Sequence, residues 1–285
     1  MNQESRDLVS VIVPFLNGSQ WLTEALQSVL NQTYTNWELI VIDDGSEETH
    51  SAVAKDFCRQ YSNKIIYTEH EGHVNKGVSI SRNEAAKLAR GKYLAFLDAD
   101  DKWTPQKLAD QLAQLAIYPQ AQVVCDAYVI WHSWHYKQAK DFVQSIGAPA
   151  GCYAPATLNK ILYPLQDTTS PAPSGVMVTK AAFDNVGGFE PSFSGIYELY
   201  EDQAFFSKLY LQEAVCISEA ANTWYRKRDN SMSSAGNDVT RYYTVRAFYL
   251  DWLQRYLYKH QIEDKRIDLL IERARKEMPA TSHIL

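Results

Sequence analysis

Cysteine is scarce: Cys58, Cys125, Cys152 and Cys216 are the four in 285 residues, and no two form a CxxC pair. That spacing speaks against a thiolate zinc cage or a disulfide framework and suits a reducing compartment. Basic charge is not in excess either. The 28 Lys and Arg stand against 34 Asp and Glu, a net charge of -6 at pH 7, which argues against nucleic acid as a partner. No apolar run approaches the roughly 18 residues needed to span a bilayer. The polar opening MNQESRDLVS lacks the apolar core of a secretory signal. The expectation is a cytoplasmic protein. Internal repeats and low-complexity stretches are absent from the sequence.

Apolar residues make up 46% of the chain, enough for a sizeable core. The charge is unevenly spread, with twelve basic and eight acidic side chains between residues 226 and 277. A solvated helical surface is the first reading of that segment. The second is a face turned to phosphates or to an anionic membrane, which would bring peripheral contact with the inner membrane face. No oligomeric state can be read.

The first third alternates two periodicities. LVSVIV (8–13), ELIVI (38–42), KIIYT (64–68) and KYLAFL (92–97) read as buried strands. Between them, Ser19 is placed to cap a helix with Leu22, Leu26, Val29 and Leu30 on one face, and residues 81–90 read as a helix stopped by Gly91. Pro105 and Pro119 bracket a further helix. Such alternation predicts an α/β fold with a parallel sheet covered on both faces. Beyond residue 120 the rhythm changes. Aromatic-rich strands are expected near 123–134, a loop at 164–174, a helix over 200–211, strands at 215–218 and 223–226, and two helices over 239–276.

In parallel sheets, ligands bind beyond the carboxyl ends of strands. Three strands end suggestively here, in Pro14-Phe15-Leu16-Asn17, in Asp43-Asp44-Gly45-Ser46 and in Asp98-Ala99-Asp100-Asp101. Carboxylates gathered on one rim repel one another, so a cation or a set of hydroxyl donors is their natural partner. Each motif alone is also an ordinary turn or cap.

Taken together and in order, VSVIVPFLN, QSVLNQTYTNWELIVIDDGS and SRNEAAKLARGKYLAFLDADD resemble the family 2 glycosyltransferases. The resemblance covers residues 8 to about 119 and continues through GGFEP (187–191), YEDQAFFSKL (200–209) and YRKRDNSMS (225–233). It implies a GT-A fold, a Rossmann-like mixed, mostly parallel sheet flanked by helices, over residues 1–230. The nucleotide-sugar part would be about 8–119 and the acceptor part about 120–230, with a helical extension over 231–285. It implies transfer of a sugar from a nucleoside-diphosphate donor, UDP-sugars being commonest, to a hydroxyl of a glycan or lipid-linked glycan, with inversion. By the same match, Asp44 accepts from the base, with Pro14 and Asn17 lining that pocket. Arg82 and Asn83 close the nucleotide side, and Asp98 lies near the ribose. Asp100 holds a divalent cation, Mg²⁺ or Mn²⁺. Asp202 of Glu201-Asp202 is the base, kept ionised by the first helical turn. Asp101 is read as a cap for the helix after Pro105.

One position departs from the family pattern. Where related sequences carry R-x-H, this chain has Arg226-Lys227-Arg228. A guanidinium does not ligate a metal but binds phosphate well, so Arg228 is expected on the diphosphate. His70, His73, His132 and His135 are read as structural or exposed. Trp131, Trp134 and Tyr197 are candidates for stacking on a sugar. Two rival readings stay open: a non-catalytic binding protein of the same fold, and a phosphotransferase of the haloacid-dehalogenase type. The second needs a Thr or Val where Trp103 stands and leaves PFLN and IDDGS unexplained.

Overall fold

Alternation rules the first half of the chain. In a computed structural model, which describes residues 7–228 and 238–279, β1 (Val9–Phe15), α1 (Ser19–Leu30), β2 (Trp37–Asp43), α2 (Glu48–Gln60), β3 (Ile65–Glu69), α3 (Val78–Leu88) and β4 (Tyr93–Phe96) come in turn. Both β1 and β2 are buried at every residue, and strands covered on both faces must be apolar throughout. Successive side chains leave by opposite faces. Val9, Val11 and Val13 therefore join a core with Leu22 and Leu26 of α1, while Ile12 enters the core on the other face with Phe96 and Phe205.

The second half contributes β5 (Lys102–Trp103), α4 (Lys107–Ile117), β6 (Val123–Trp131), β7 (Phe142–Gln144), β8 (Gly151–Tyr153), β9 (Val176–Thr179), α5 (Lys180–Asn185), α6 (Glu201–Gln212) and β10 (Val215–Arg226). One sheet runs in the order β3-β2-β1-β4-β9-β6-β10-β5. Its first four strands are parallel. β9 is antiparallel to both β4 and β6, and β10 returns parallel to β6. In this mixed α/β architecture the carboxyl ends of β1, β2 and β4 share one edge.

Several local expectations change. Ser19 is the first helical residue of α1 rather than its cap, because Gly18 takes the cap position with φ of 67°. The helix expected at 81–90 begins three residues earlier and ends at Leu88, turned out by an extended Ala89. Gly91 serves a different purpose from a helix stop: a Cβ there would lie 2.7 Å from the Ser10 amide nitrogen, so it permits close approach to β1. The two strands expected at 215–218 and 223–226 are one strand with a register shift between Ser218 and Thr223.

Beneath the sheet, Lys107 of α4 and Asp126 of β6 meet at 3.2 Å with 0% and 1% side-chain exposure. Burial pushes Lys107 down and Asp126 up, to about 6. Lys107→Ala leaves that carboxyl buried without its cation. A loss of about 3–5 kcal/mol in urea unfolding is expected, whereas Lys107→Met with Asp126→Leu should recover most of it. A single-variant loss below about 1 kcal/mol would contradict this account of the pair.

The tail forms α7 (Val239–Lys259) and α8 (Lys265–Lys276), capped by Asp238 and Asp264, whose side chains accept from the second and third amides beyond them. Val245, Tyr249, Leu253, Ile267 and Leu270 build a third core with Phe193, Tyr200 and Leu211. The helical pair therefore braces the start of α6. No helix among the described residues is long and apolar enough to cross a membrane.

Candidate active site

β1 leaves the sheet through Pro14 and turns sharply at Asn17 and Gly18, with φ of 57° and 67°. Asn17 ties this turn to the one after β2: its amide donates to Ser46 Oγ and its Oδ1 accepts from the Glu47 amide, both at 2.8 Å. Beyond these strand ends lies a cavity of about 320 Å³. Pro14, Asn17, Arg82, Asp98, Asp100 and Arg228 all line it.

Two residues predicted for the nucleotide side are not on that wall. Asp44 is 5% exposed, accepts from the amides of Lys76 (2.8 Å) and Gly77, and contacts His70 Nε2 at 3.2 Å. It organises the N-terminus of α3 from behind. Asn83 brackets Phe189, donating to its carbonyl at 2.9 Å and accepting from its amide at 2.8 Å. Residues 229–233, the end of the YRKRDNSMS motif, lie outside the described residues.

Arg82 is the electrostatic centre. It is 2% exposed, donates to Asp98 Oδ1 and Glu201 Oε1 at 2.6 Å each, and lies 4.8 Å above the Phe189 ring. Burial opposes its charge, but Glu201 and Asp98 more than offset that and raise its pKa. Burial raises Glu201, and Arg82 only partly compensates. We read the pair as ionised, because 2.6 Å is a charge-assisted contact.

The acid loop after β4 is held by a buried serine that no sequence pattern singles out. Ser174 Oγ accepts from the Asp98 amide (3.0 Å) and donates to Asp101 Oδ2 (2.6 Å), while its carbonyl receives Trp103 Nε1 and Thr223 Oγ1. Asp101 also accepts from the Arg226 amide at 2.9 Å, so it pins this loop to β10 instead of capping α4. Arg226 adds a 2.6 Å bond to the Asp100 carbonyl.

A second cavity of about 350 Å³ adjoins the first and shares Asp98, Glu198, Glu201 and Tyr225 with it. Asp202 lines this one. Glu201 and Asp202 both sit in the first turn of α6, as expected, but the dipole does not dominate. Burial raises Asp202 to about 6, opposed by its bond from the Gln203 amide and by Arg82, and reinforced by Asp98. The carboxyl is still mostly ionised at pH 7, with a basicity suited to taking a proton.

The aromatic wall consists of residues other than those expected. Tyr128, Tyr163 and Tyr225 line the second cavity. Trp131 instead carries Arg226 and Lys102 on its ring, Trp134 donates to the Lys227 carbonyl, and Tyr197 stacks on Phe248 at 4.0 Å. Glu198 is a further site residue that the sequence does not mark. It reaches the cavities from a 3-10 turn (Gly195–Tyr200), and burial and then Asp44 raise its pKa. Gly77 allows this, since a Cβ there would stand 2.7 Å from Glu198 Oε1. A family of acids converging by packing alone leaves no local pattern to read.

The first cavity offers a divalent cation oxygen donors of the right type, although no three of its carboxylates come within ligand distance of one another. Four carboxylates, Asp98, Asp100, Glu198 and Glu201, line the first cavity against two guanidiniums, Arg82 and Arg228. Burial raises Asp100, and Asp98 adds to this against Arg228. Carboxylate oxygens of this kind are the ligands that a hard divalent cation takes. Arg228 competes for the same ligand, at 2.5 Å from Asp100 Oδ2, with its guanidinium 4.4 Å over Trp21. His73, read from sequence as structural or exposed, comes together with Asp43 and Glu69 in the one three-residue group among the described residues with metal-ligand geometry. Those carboxylates are already engaged by Tyr67, and Asp43 also by Ser51 and Ser46.

A model of the family "Glycosyl transferase family 2" matches residues 10–183. Two curated relatives are each 38% identical, over 112 and 108 residues: the putative teichuronic acid biosynthesis glycosyltransferase TuaG of Bacillus subtilis (strain 168), and the UDP-Glc:alpha-D-GlcNAc-diphosphoundecaprenol beta-1,3-glucosyltransferase WfgD of Escherichia coli. Each match covers 38% of this chain and 41% of the relative. The crystal structure of S. aureus TarS 1–349 in complex with UDP-GlcNAc superposes with a TM-score of 0.60 at 25% identity, over 85% of this chain and 66% of that one.

Proposed function

Because the chain belongs to glycosyl transferase family 2, we propose that it moves a sugar from a UDP-linked donor to a hydroxyl of a glycan or lipid-linked glycan, with inversion at the anomeric carbon. The observation that carries this reading is the pair of adjoining cavities divided by Asp98, Glu198, Glu201 and Tyr225, with Asp100 on one side and Asp202 on the other. Relatives support the donor and acceptor classes. TarS has been crystallised with UDP-GlcNAc, and WfgD is named for a UDP-Glc donor and a diphosphoundecaprenol-linked acceptor.

In this scheme Pro14 and Asn17 flank the nucleotide, and Asp44 keeps Lys76 and Gly77 in place beside it. Asp98 faces the ribose and orients Arg82. Arg228, whose Nε has no hydrogen-bond partner among the described residues, turns toward the diphosphate. A divalent cation at Asp100 would supply positive charge for the departing nucleoside diphosphate. Asp202 takes the proton from the acceptor hydroxyl as that oxygen bonds to the anomeric carbon and the bond to the diphosphate oxygen breaks. A lipid-linked acceptor would bring the protein to the inner membrane face.

The pH profile is set by Asp202. Its ionised form is the active one and burial raises its pKa to about 6. Turnover is expected to fall about tenfold per pH unit below that value and to be flat between about 7 and 8. A profile without the acidic limb would remove Asp202 from the role. For the reaction as a whole, nucleoside diphosphate release should be assayed over a panel of UDP- and GDP-sugars with mixed glycan acceptors. Release from a UDP-sugar is expected. Tight binding of a nucleotide sugar with no release from any of them would favour the non-catalytic reading.

A further inference from the structure

A third cavity, of about 470 Å³, lies between residues 163–167 and helices α7 and α8. It has one wall in common with the reaction cavity. Tyr163 lines both, Thr168 faces the Asp202 side, and Leu165, Gln166 and Asp167 face the other. A thin partition five or six residues long thus separates the proposed base from this second chamber.

Its chemistry is that of an anion site. Arg246 is half-buried there, hydrogen-bonded to the Tyr200 hydroxyl and within 5.9 Å of the Tyr163 ring centroid. No carboxylate among the described residues lies within ion-pair distance of it. Tyr163, Tyr200 and Tyr242 gather their hydroxyls beside it, with Tyr163 bonded to both of the others. Arg273 adds a second guanidinium, aimed by the Leu165 carbonyl (3.1 Å) and Gln166 Oε1 (2.8 Å). The acids of the same chamber, Asp167 and Glu277, are exposed at its rim, and Glu277 is turned to Arg273 at 3.5 Å. Burial opposes the Arg246 charge, but Tyr200, Tyr242 and Tyr163 more than offset that and raise its pKa, so an anion entering the chamber meets a guanidinium that no carboxylate among the described residues neutralises.

We propose that this chamber is an acceptor subsite for a phosphate-ester group, with Arg246 as its central ligand. The acceptor then spans the partition at Tyr163, placing its reacting hydroxyl at Asp202 and its phosphate between Arg246 and Arg273. The proposal rests on the transferase reading and names the acceptor class: a glycan carrying phosphate, through a lipid diphosphate link or a polymer phosphodiester. Those two sources share the chemistry that Arg246 would recognise.

The test uses matched acceptors with the same terminal sugar, presented as an octyl glycoside, as an octyl diphosphate ester and as a methyl phosphodiester. The phosphate-bearing forms should have a KM lower by about tenfold or more, the size of one charge-assisted hydrogen bond. Arg246→Ala should erase that advantage, Arg246→Lys should retain part of it, and donor KM and turnover on the octyl glycoside should not move. Whichever phosphate form gains more identifies the source. Equal KM for neutral and charged acceptors, or an equal loss on all three, overturns the proposal. Arg273→Ala, at a more exposed position, serves should Arg246→Ala fold poorly, and the same selective rise in KM is expected. Calorimetry with inorganic pyrophosphate in excess UDP separates this idea from the transferase reading. Binding that Arg246→Ala abolishes supports the subsite even if no donor is turned over, and binding indifferent to Arg246 removes it.

Discussion

Asp202→Asn is expected to lower kcat by about 10²- to 10⁴-fold, the usual contribution of a positioned acid or base, with little change in donor KM. Asp202 lines the second cavity and not the one bearing Asp100 and Arg228, so its loss should spare donor binding. Asparagine keeps the shape and can still accept from the Gln203 amide, which leaves proton acceptance as the function removed. The acidic limb of the pH profile should disappear with it. Single-turnover rates at saturating donor check this. Near-wild-type rates would move the base to a neighbour, and Glu201 is the next to test, although its contact with Arg82 makes it the poorer base.

Asp100→Ala should cost about 10³-fold or more in turnover, because a bound cation supplies several kcal/mol of charge stabilisation to a leaving diphosphate. Metal-dependent nucleotide binding should weaken in parallel. The 2.5 Å contact with Arg228 offers a competing explanation, in which Asp100 only anchors the guanidinium. Arg228→Ala distinguishes them. If anchoring is the whole role, that variant reproduces the loss and excess chelator changes nothing in the wild type. If the cation is held at Asp100, chelator abolishes activity and Arg228→Ala costs less than Asp100→Ala.

The strand ends are legible in the sequence because the physics there is local. β1, β2 and β4 are short apolar runs, and each gives way to polar or acidic residues. The two tail helices fall within the expected span of 239–276, and Asp238 and Asp264 cap them from the position just before their first turns. The start of α3 is hidden for the opposite reason. The amides just before it are held by Asp44, more than thirty residues earlier, its first amide by Glu198, and its cap residue is Gly77 at φ of 89°, so no local capping signal exists. Ser174, Glu198 and Tyr225 are hidden in the same way. Each becomes a site residue only when the sheet brings β10, the 173–175 turn and the approach to α6 against the end of β4. Family resemblance points to Arg82, but not to its bridging of Asp98 and Glu201, the latter 119 residues away along the chain.

The anomeric configuration of the product tests the central claim most directly. With Asp202 activating a hydroxyl on the side away from the departing diphosphate, one displacement forms the new bond as the old one breaks. The nucleophile must then arrive on the face opposite the leaving group. The coupling constant of the anomeric proton, measured by NMR on product formed from an α-linked UDP-sugar, should be that of a β-linkage. An α-linked product would mean retention, and would contradict the single-displacement account.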